Sequence, residues 1–235
     1  MCTAISTGRF FGRTLDVETE WGGETVRVGN VIGMARMADG VPLWFDAANV
    51  YGLGGAALNF PGLAVYRAES EKKYNIPSYA LIGFVLERCK NVSEAANLLS
   101  DVNVSPEAFA PDLPPTPLHW IFADSDACIV FEQTEEGARV YQNEIGVMTN
   151  APTFPEHLNN IDEGKSATDL SSESRFILAA KAKKCPAPMS AEDFFDIMKS
   201  VFVELGKGSK KETKTVYTSC IDLEKGKYYC RECEK

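Results

Sequence analysis

The order of hydrophobic segments constrains this chain most: strands come in groups and helices come in groups, with no one-by-one alternation. Between residues 31 and 60, VIGMARMA runs into Asp39-Gly40, VPLWFDA into Asn49-Val50-Tyr51-Gly52, and LGGAALNF follows. Short apolar runs broken by such turn signals predict successive antiparallel strands. From Ile76 to Leu99 the period becomes helical, with Leu81, Phe84, Val85 and Cys89 apolar and a restart at Ser93 after Val92. That pattern predicts two helices packed against a sheet. A proline-rich connection, Pro106 to Pro117, leads to a second strand group in LHWIFA, ACIVFEQ and ARVYQ. Helices are expected at 172–184 and at 191–205, where Ser190 precedes Phe194, Phe195, Ile197, Met198, Val201 and Phe202. TVYTSCIDL and KYYC close the chain as strands, while 159–171 and the lysine-glycine run at 206–211 read as surface loops. The expected class is α+β, layered, and the 235 residues, 45% of them hydrophobic, suffice for a single domain over 1–235.

Charge and cysteine usage narrow the possible partners. A formal charge of −9 argues against nucleic acid or an anionic membrane, both of which call for clustered Lys and Arg. An anionic substrate must then be held by local positive charge. No apolar run is long enough to span a bilayer, and MCTAISTGRFFGRTLD lacks the basic flank and apolar stretch of a signal peptide. A soluble, cytoplasmic protein is expected. Seven cysteines at 2, 89, 128, 185, 220, 230 and 233 do not resemble a disulfide framework, so free thiols are expected. The pair Cys230 and Cys233 lacks the further ligands of a zinc site and reads as part of a terminal strand. Neither a metal nor a cofactor is expected.

The chain holds two histidines. His119 lies inside the apolar run PLHWIF, which predicts a hydrogen-bonded core residue, and His157 lies in a loop-like stretch. Cys2 offers a base of its own. Removal of Met1 leaves a thiol and a free α-amine on one residue, and an α-amine with a pKa of about 7.7 to 8.0 can take the thiol proton. Arg13 and Asp16, in FFGRTLD, follow the apolar start of a hairpin. A strand returning beside Cys2 brings Arg13 to favour the thiolate and Asp16 to hold the ammonium. Read by themselves, these two residues also fit a solvated ion pair on a turn.

The segments MCTAI, FFGRTLD, VIGMA, GLGGAALNFPG, PLHWIFAD, IGVMTNAPTF, SSESRF and YTSCIDLEKGKYY, in this order, closely resemble the choloylglycine hydrolase family. The resemblance implies a four-layer αββα N-terminal-nucleophile hydrolase fold and cleavage of the amide bond of glycine- or taurine-conjugated bile salts. It implies Cys2 as nucleophile, Arg13 and Asp16 beside it, and Asn59, Asn150 and Arg175 as the further polar site residues. An Asn150 side chain and the Asn59 backbone N–H would donate to the tetrahedral oxyanion, and Arg175 would stand at a helix start opened by Ser171 or Ser172. Penicillin V acylases of this group usually carry Tyr where this chain has Asn59, which favours bile salts over penicillin V or another N-acyl amide. The chain is shorter than family members: the region around Gly29-Asn30 looks cut short, the glycine-rich segment before SRF is absent, and the usual strands after Tyr229 are missing. That segment helps family subunits associate, so the family's homotetramer is in doubt here, and an inactive shortened homologue or binding scaffold is the alternative of another class.

Overall fold

The computed structural model describes residues 1–17, 21–68, 70–183, 190–205 and 213–232. The first sheet contains β1 (Cys2–Ser6), β2 (Phe10–Val17), β12 (Val147–Met148), β13 (Glu204–Leu205), β14 (Thr213–Asp222) and β15 (Lys227–Glu232). Its order is β12-β1-β2-β14-β13, with β15 also paired to β14. The second sheet contains β3 (Glu24–Val28), β4 (Val31–Ala38), β5 (Val41–Asn49), β6 (Gly54–Asn59), β9 (Leu118–Ala123), β10 (Cys128–Thr134) and β11 (Gly137–Gln142). Its order is β11-β10-β9-β6-β5-β4-β3, antiparallel throughout. A small parallel pair, β7 (Tyr74–Pro77) and β8 (Val102–Ser105), stands apart. The helices are α1 (Leu81–Arg88), α2 (Val92–Ser100), α3 (Phe154–Asp162), α4 (Ser172–Ala182) and α5 (Ala191–Lys199).

Two cores make four layers. Strand residues point alternately to opposite faces, and β9 and β10 obey this with apolar residues on both sides. Ile121 and Val130 join a core shared with Ile5, Phe11, Tyr217, Phe176 and Phe194, which spans the inter-sheet space and the α4–α5 side. Trp120, Ile129 and Phe131 join a second core with Leu81, Val85, Ala95 and Leu99 of α1 and α2. A sheet covered on both faces needs near-continuous apolar strands, which is why LHWIFA and ACIVFEQ show little polar alternation. The layers are helices, sheet, sheet, helices, as the resemblance implied.

Turn chemistry sets the meander. Asp39 and Gly40 both take positive φ, +46° and +77°, the two-residue pattern that follows strand twist. Gly29 takes φ +57° and, with Asn30, closes β3 onto β4 in two residues, so the short sequence there is a tight turn.

Three expectations are corrected. Ile76 belongs to β7 rather than a helix, because Pro77 keeps the preceding residue out of the α region. The helix predicted to reach 205 ends at Lys199; three successive i→i−3 bonds tighten its last turn, and Val203 then exchanges bonds with Thr215 to enter the first sheet. Residues 159–162, read as loop, belong to α3, which is opened by a capping box between Thr153 and Glu156. The run at 206–211 and Cys185 and Cys233 lie outside the described residues.

Candidate active site

The β1–β2 hairpin pairs Cys2 with Leu15 and Ala4 with Arg13. Cys2 and Arg13 are therefore diagonal neighbours on one face, within reach of a long side chain. Arg13 Nη2 donates to Cys2 Sγ at 2.6 Å. Three further bonds hold the guanidinium: Nε donates to Thr14 O at 3.1 Å, and Nη1 to Ala57 O at 2.6 Å and Phe45 O at 3.2 Å. These bonds bridge the two sheets and fix the fork against the sulfur. Burial opposes the charge on Arg13, yet the Cys2 thiol, Tyr217, Asp46 and Asp16 together hold its pKa above the ordinary value.

Asp16 alternates to the other face of β2, and its backbone pairs with that of Met1. The Met1 ammonium donates to Asp16 O at 2.6 Å, and Asp16 N–H donates to Met1 O at 2.8 Å. Its Oδ1 accepts from Thr215 Oγ1 at 2.7 Å, while Oδ2 is buried without a hydrogen-bond partner among the described residues. Burial raises the Asp16 pKa, against the Thr215 bond and the nearby Arg175.

Arg175 rises from the first turn of α4, whose N-cap is Ser171. Nη1 donates to Cys2 O at 2.5 Å and Thr3 Oγ1 at 2.7 Å, and Nη2 donates to Asn150 Oδ1 at 3.0 Å. Asn150 Oδ1 also accepts from Cys2 N at 2.8 Å, and Asn150 Nδ2 donates to Asn59 O at 2.7 Å. All six residues expected from the sequence thus converge. Cys2, Arg13, Asp16 and Arg175 are at most 1% exposed, which removes the solvated ion-pair reading of residues 13 and 16.

A cleft of about 310 Å³ opens over the sulfur. Trp21, Leu43, Phe45, Phe109 and Leu118 are among its apolar wall residues, Asn59 lies on its surface, and Arg36 supplies a second cation besides Arg13. These wall residues share no sequence periodicity and were not anticipated. Asp46 was also missed. It sits within β5, fully buried, and accepts from Tyr217 Oη and Tyr228 Oη at 2.6 Å each. An aspartate inside the apolar run VPLWFDAAN was the available signal, since a buried carboxylate must be paired.

The family model described as linear amide C-N hydrolases, choloylglycine hydrolase family, matches residues 3–169 and 164–235. The chain belongs to this family. Among choloylglycine hydrolase relatives, the bile salt hydrolase/transferase of Lactiplantibacillus plantarum is 32% identical over 98% of this chain and 89% of its own length. A conjugated bile acid hydrolase of Lactobacillus acidophilus is 31% identical over 98% and 92%. The crystal structure of a conjugated bile acid hydrolase mutant from Clostridium perfringens superposes with a TM-score of 0.89 at 29% identity, covering 100% of this chain and 90% of that one. Penicillin V acylase from Agrobacterium tumefaciens shares the choloylglycine hydrolase fold at a TM-score of 0.75, with 16% identity. The alignment to the first relative is 287 positions long, more than the 235 residues of this chain, so that relative carries internal segments absent here.

Proposed function

We propose that this chain hydrolyses the amide bond of glycine- or taurine-conjugated bile salts, with Cys2 as nucleophile once Met1 is removed. The observation that carries the reading is the Cys2 sulfur at the base of an apolar cleft, hydrogen-bonded by a buried arginine. Removal of Met1, whose ammonium and carbonyl pair with the Asp16 backbone, frees the Cys2 amine. Asp16 Oδ2 is a buried acceptor with no hydrogen bond among the described residues and only a 3.9 Å ion-pair contact to Arg175 Nη1. The Cys2 amine takes the thiol proton, and the thiolate attacks the amide carbon. Asn150 Nδ2 spends one N–H on Asn59 O and keeps the second for the oxyanion, with the Asn59 backbone N–H as the other donor. As the tetrahedral species collapses, the C–N bond breaks and the departing amine takes the proton; water then cleaves the thioester and restores the thiol. Arg175 holds the Cys2 carbonyl and the Asn150 amide oxygen in register.

The substrate class follows from the relatives' activities and from the cleft. Aromatic and aliphatic walls suit an apolar acyl group such as a steroid, and Arg36, which has no ion-pair partner among the described residues, suits a terminal carboxylate or sulfonate. The buried thiols Cys89, Cys128 and Cys220 stand outside any disulfide, as a reducing cytoplasm requires. Mass spectrometry of the N-terminus, followed by assays on glyco- and tauro-conjugates and on penicillin V, tests the reading. Release of glycine or taurine by a protein beginning at Cys2 supports it. Faster turnover of penicillin V reassigns the substrate, and no turnover of any amide leaves a binding scaffold.

A further inference from the structure

Both histidines of the chain grip the Thr149–Asn150 segment, His119 at Thr149 and His157 at both residues. His119, on β9, contacts Thr149 O through Nε2 at 2.7 Å and Glu132 Oε1 through Nδ1 at 3.1 Å. His157, on α3, contacts Asn150 O at 2.9 Å and Thr149 Oγ1 at 3.2 Å, both through Nε2. Each ring is held flat against a phenylalanine, His119 on Phe60 at 4.2 Å and His157 on Phe176 at 4.5 Å between centroids. His119, Glu132 and His157 are all buried, and none of them lines the cleft above Cys2. Burying polar groups of this kind is unfavourable unless their bonds are used.

Hydrogen accounting shows how the group is tied together. A carbonyl oxygen only accepts, so His119 Nε2 carries a hydrogen toward Thr149. The contact between Nδ1 and Glu132 Oε1 then requires a second hydrogen, shared between them. Oε1 also accepts from Phe154 N at 3.0 Å, the first amide of the helix that carries His157. Glu132 therefore links one histidine to the element bearing the other, and the two close on Thr149 and Asn150 from separate layers. The location matters because β12 ends at Met148, and its ladder to β1 ends at Ala4 paired with Met148. Beyond that point Thr149 and Asn150 have no ladder partner on a neighbouring strand.

We propose that His119, Glu132 and His157 are positioning residues that fix the Asn150 amide as an oxyanion donor. The proposal rests on the role given to Asn150 above. A shift of about 1 Å in such a group can cost roughly 100-fold in rate, so a brace on the backbone of this segment acts on kcat through Asn150.

A double-mutant cycle tests it, with kcat and KM measured on a glyco-conjugate and the alkylation rate of Cys2 as an independent readout. His119→Leu is expected to lower kcat about 10- to 100-fold with KM within about twofold and Cys2 alkylation unchanged. His119→Gln, which keeps an N–H for Thr149 O, is expected to recover part of the loss. In an Asn150→Ala background the His119→Leu change should cost less than about threefold more, because the group it serves is gone. Independent, multiplicative losses in the double variant, or undiminished kcat in His119→Leu, overturn the proposal. If the leucine variant does not fold, Glu132→Gln takes its place in the same cycle with the same two outcomes. Undiminished kcat in Asn150→Ala alone is a different failure: it removes the oxyanion role from Asn150, and the brace's purpose with it.

Discussion

Arg13 and Cys2, both buried, are joined by a 2.6 Å hydrogen bond. The bond is one of four made by a single guanidinium, the others ending on carbonyls of both sheets. A lysine has neither the planar fork nor enough donors to replace it. Arg13→Lys is expected to slow alkylation of Cys2 about tenfold at neutral pH, since an ammonium is not held against the sulfur by bonds to both sheets. Iodoacetamide kinetics check this; an unchanged rate would remove Arg13 from thiol activation.

Cys2→Ala is expected to abolish turnover while leaving the fold intact. The side chain is small and its loss costs about 1 kcal/mol of packing at most. Assay and thermal melting on one preparation decide it, and residual amidase activity would move the nucleophile elsewhere. The proposed mechanism uses a free amine on Cys2, so the fraction of protein retaining Met1 is expected to be inactive, which N-terminal mass analysis against active-site titration can read.

His157 gives the fold an acid-sensitive point. Burial first, and then the nearby His119 and Arg175, lower its pKa to about 4, against the Asn150 carbonyl that raises it. An unfolded histidine titrates near 6.5, so between about 6.5 and 4 the unfolded chain binds a proton that the native state refuses. Stability is complete above that window and declines as pH falls through it, by about 3 kcal/mol in all. Asp16, whose carboxyl is raised by burial, acts in the opposite direction. The readout is therefore a difference: urea denaturation at pH 7 and pH 4.5 should show a smaller acid loss in His157→Gln than in the unsubstituted protein. Equal losses would place the acid sensitivity on other groups.

Arg36 is exposed at the cleft wall, where a single ion pair contributes little. Arg36→Ala is expected to raise KM for glyco- and tauro-conjugates by about threefold to fivefold, with kcat nearly constant. An uncharged N-acyl amide should show no change, and added salt should shrink the difference for the conjugates. Equal effects on charged and uncharged substrates would count against an anion contact.

The strands were legible where turn chemistry punctuates them, as at Asp39-Gly40, and the hairpin that joins Arg13 to Cys2 follows from local pattern. Helix α3 was not, because its buried face is short, holding Phe154 and His157, although Thr153 and Glu156 already spelled its start. Helix α5 was drawn too long because Val201 and Phe202 keep helical spacing while the chain is already tightening toward β13. At the site, Cys2, Arg13 and Asp16 are suggested by their own chemistry and spacing, while Asn59, Asn150 and Arg175 come from the family motifs. The grip of His119 on Thr149 bridges 30 positions and that of Tyr217 on Asp46 bridges 171. No periodicity within one segment reports such contacts: the apolar run around His119 marks it as a hydrogen-bonded core residue, but its partners, and those of Asp46, emerge only from the structure.

The bond from Thr215 to Asp16 closes a loop of 199 residues, and β2 lies between β1 and β14 in the first sheet. Closing so long a loop is entropically unfavourable until much of the rest has formed, and topologies rich in such contacts fold slowly. An unfolded chain therefore completes the surroundings of Cys2 late in folding. Until then the thiol lacks the full carboxylate, arginine and amide environment of the native state. On the proposed mechanism, the reactivity of Cys2 would thus be a property of the finished fold and not of the local sequence around it.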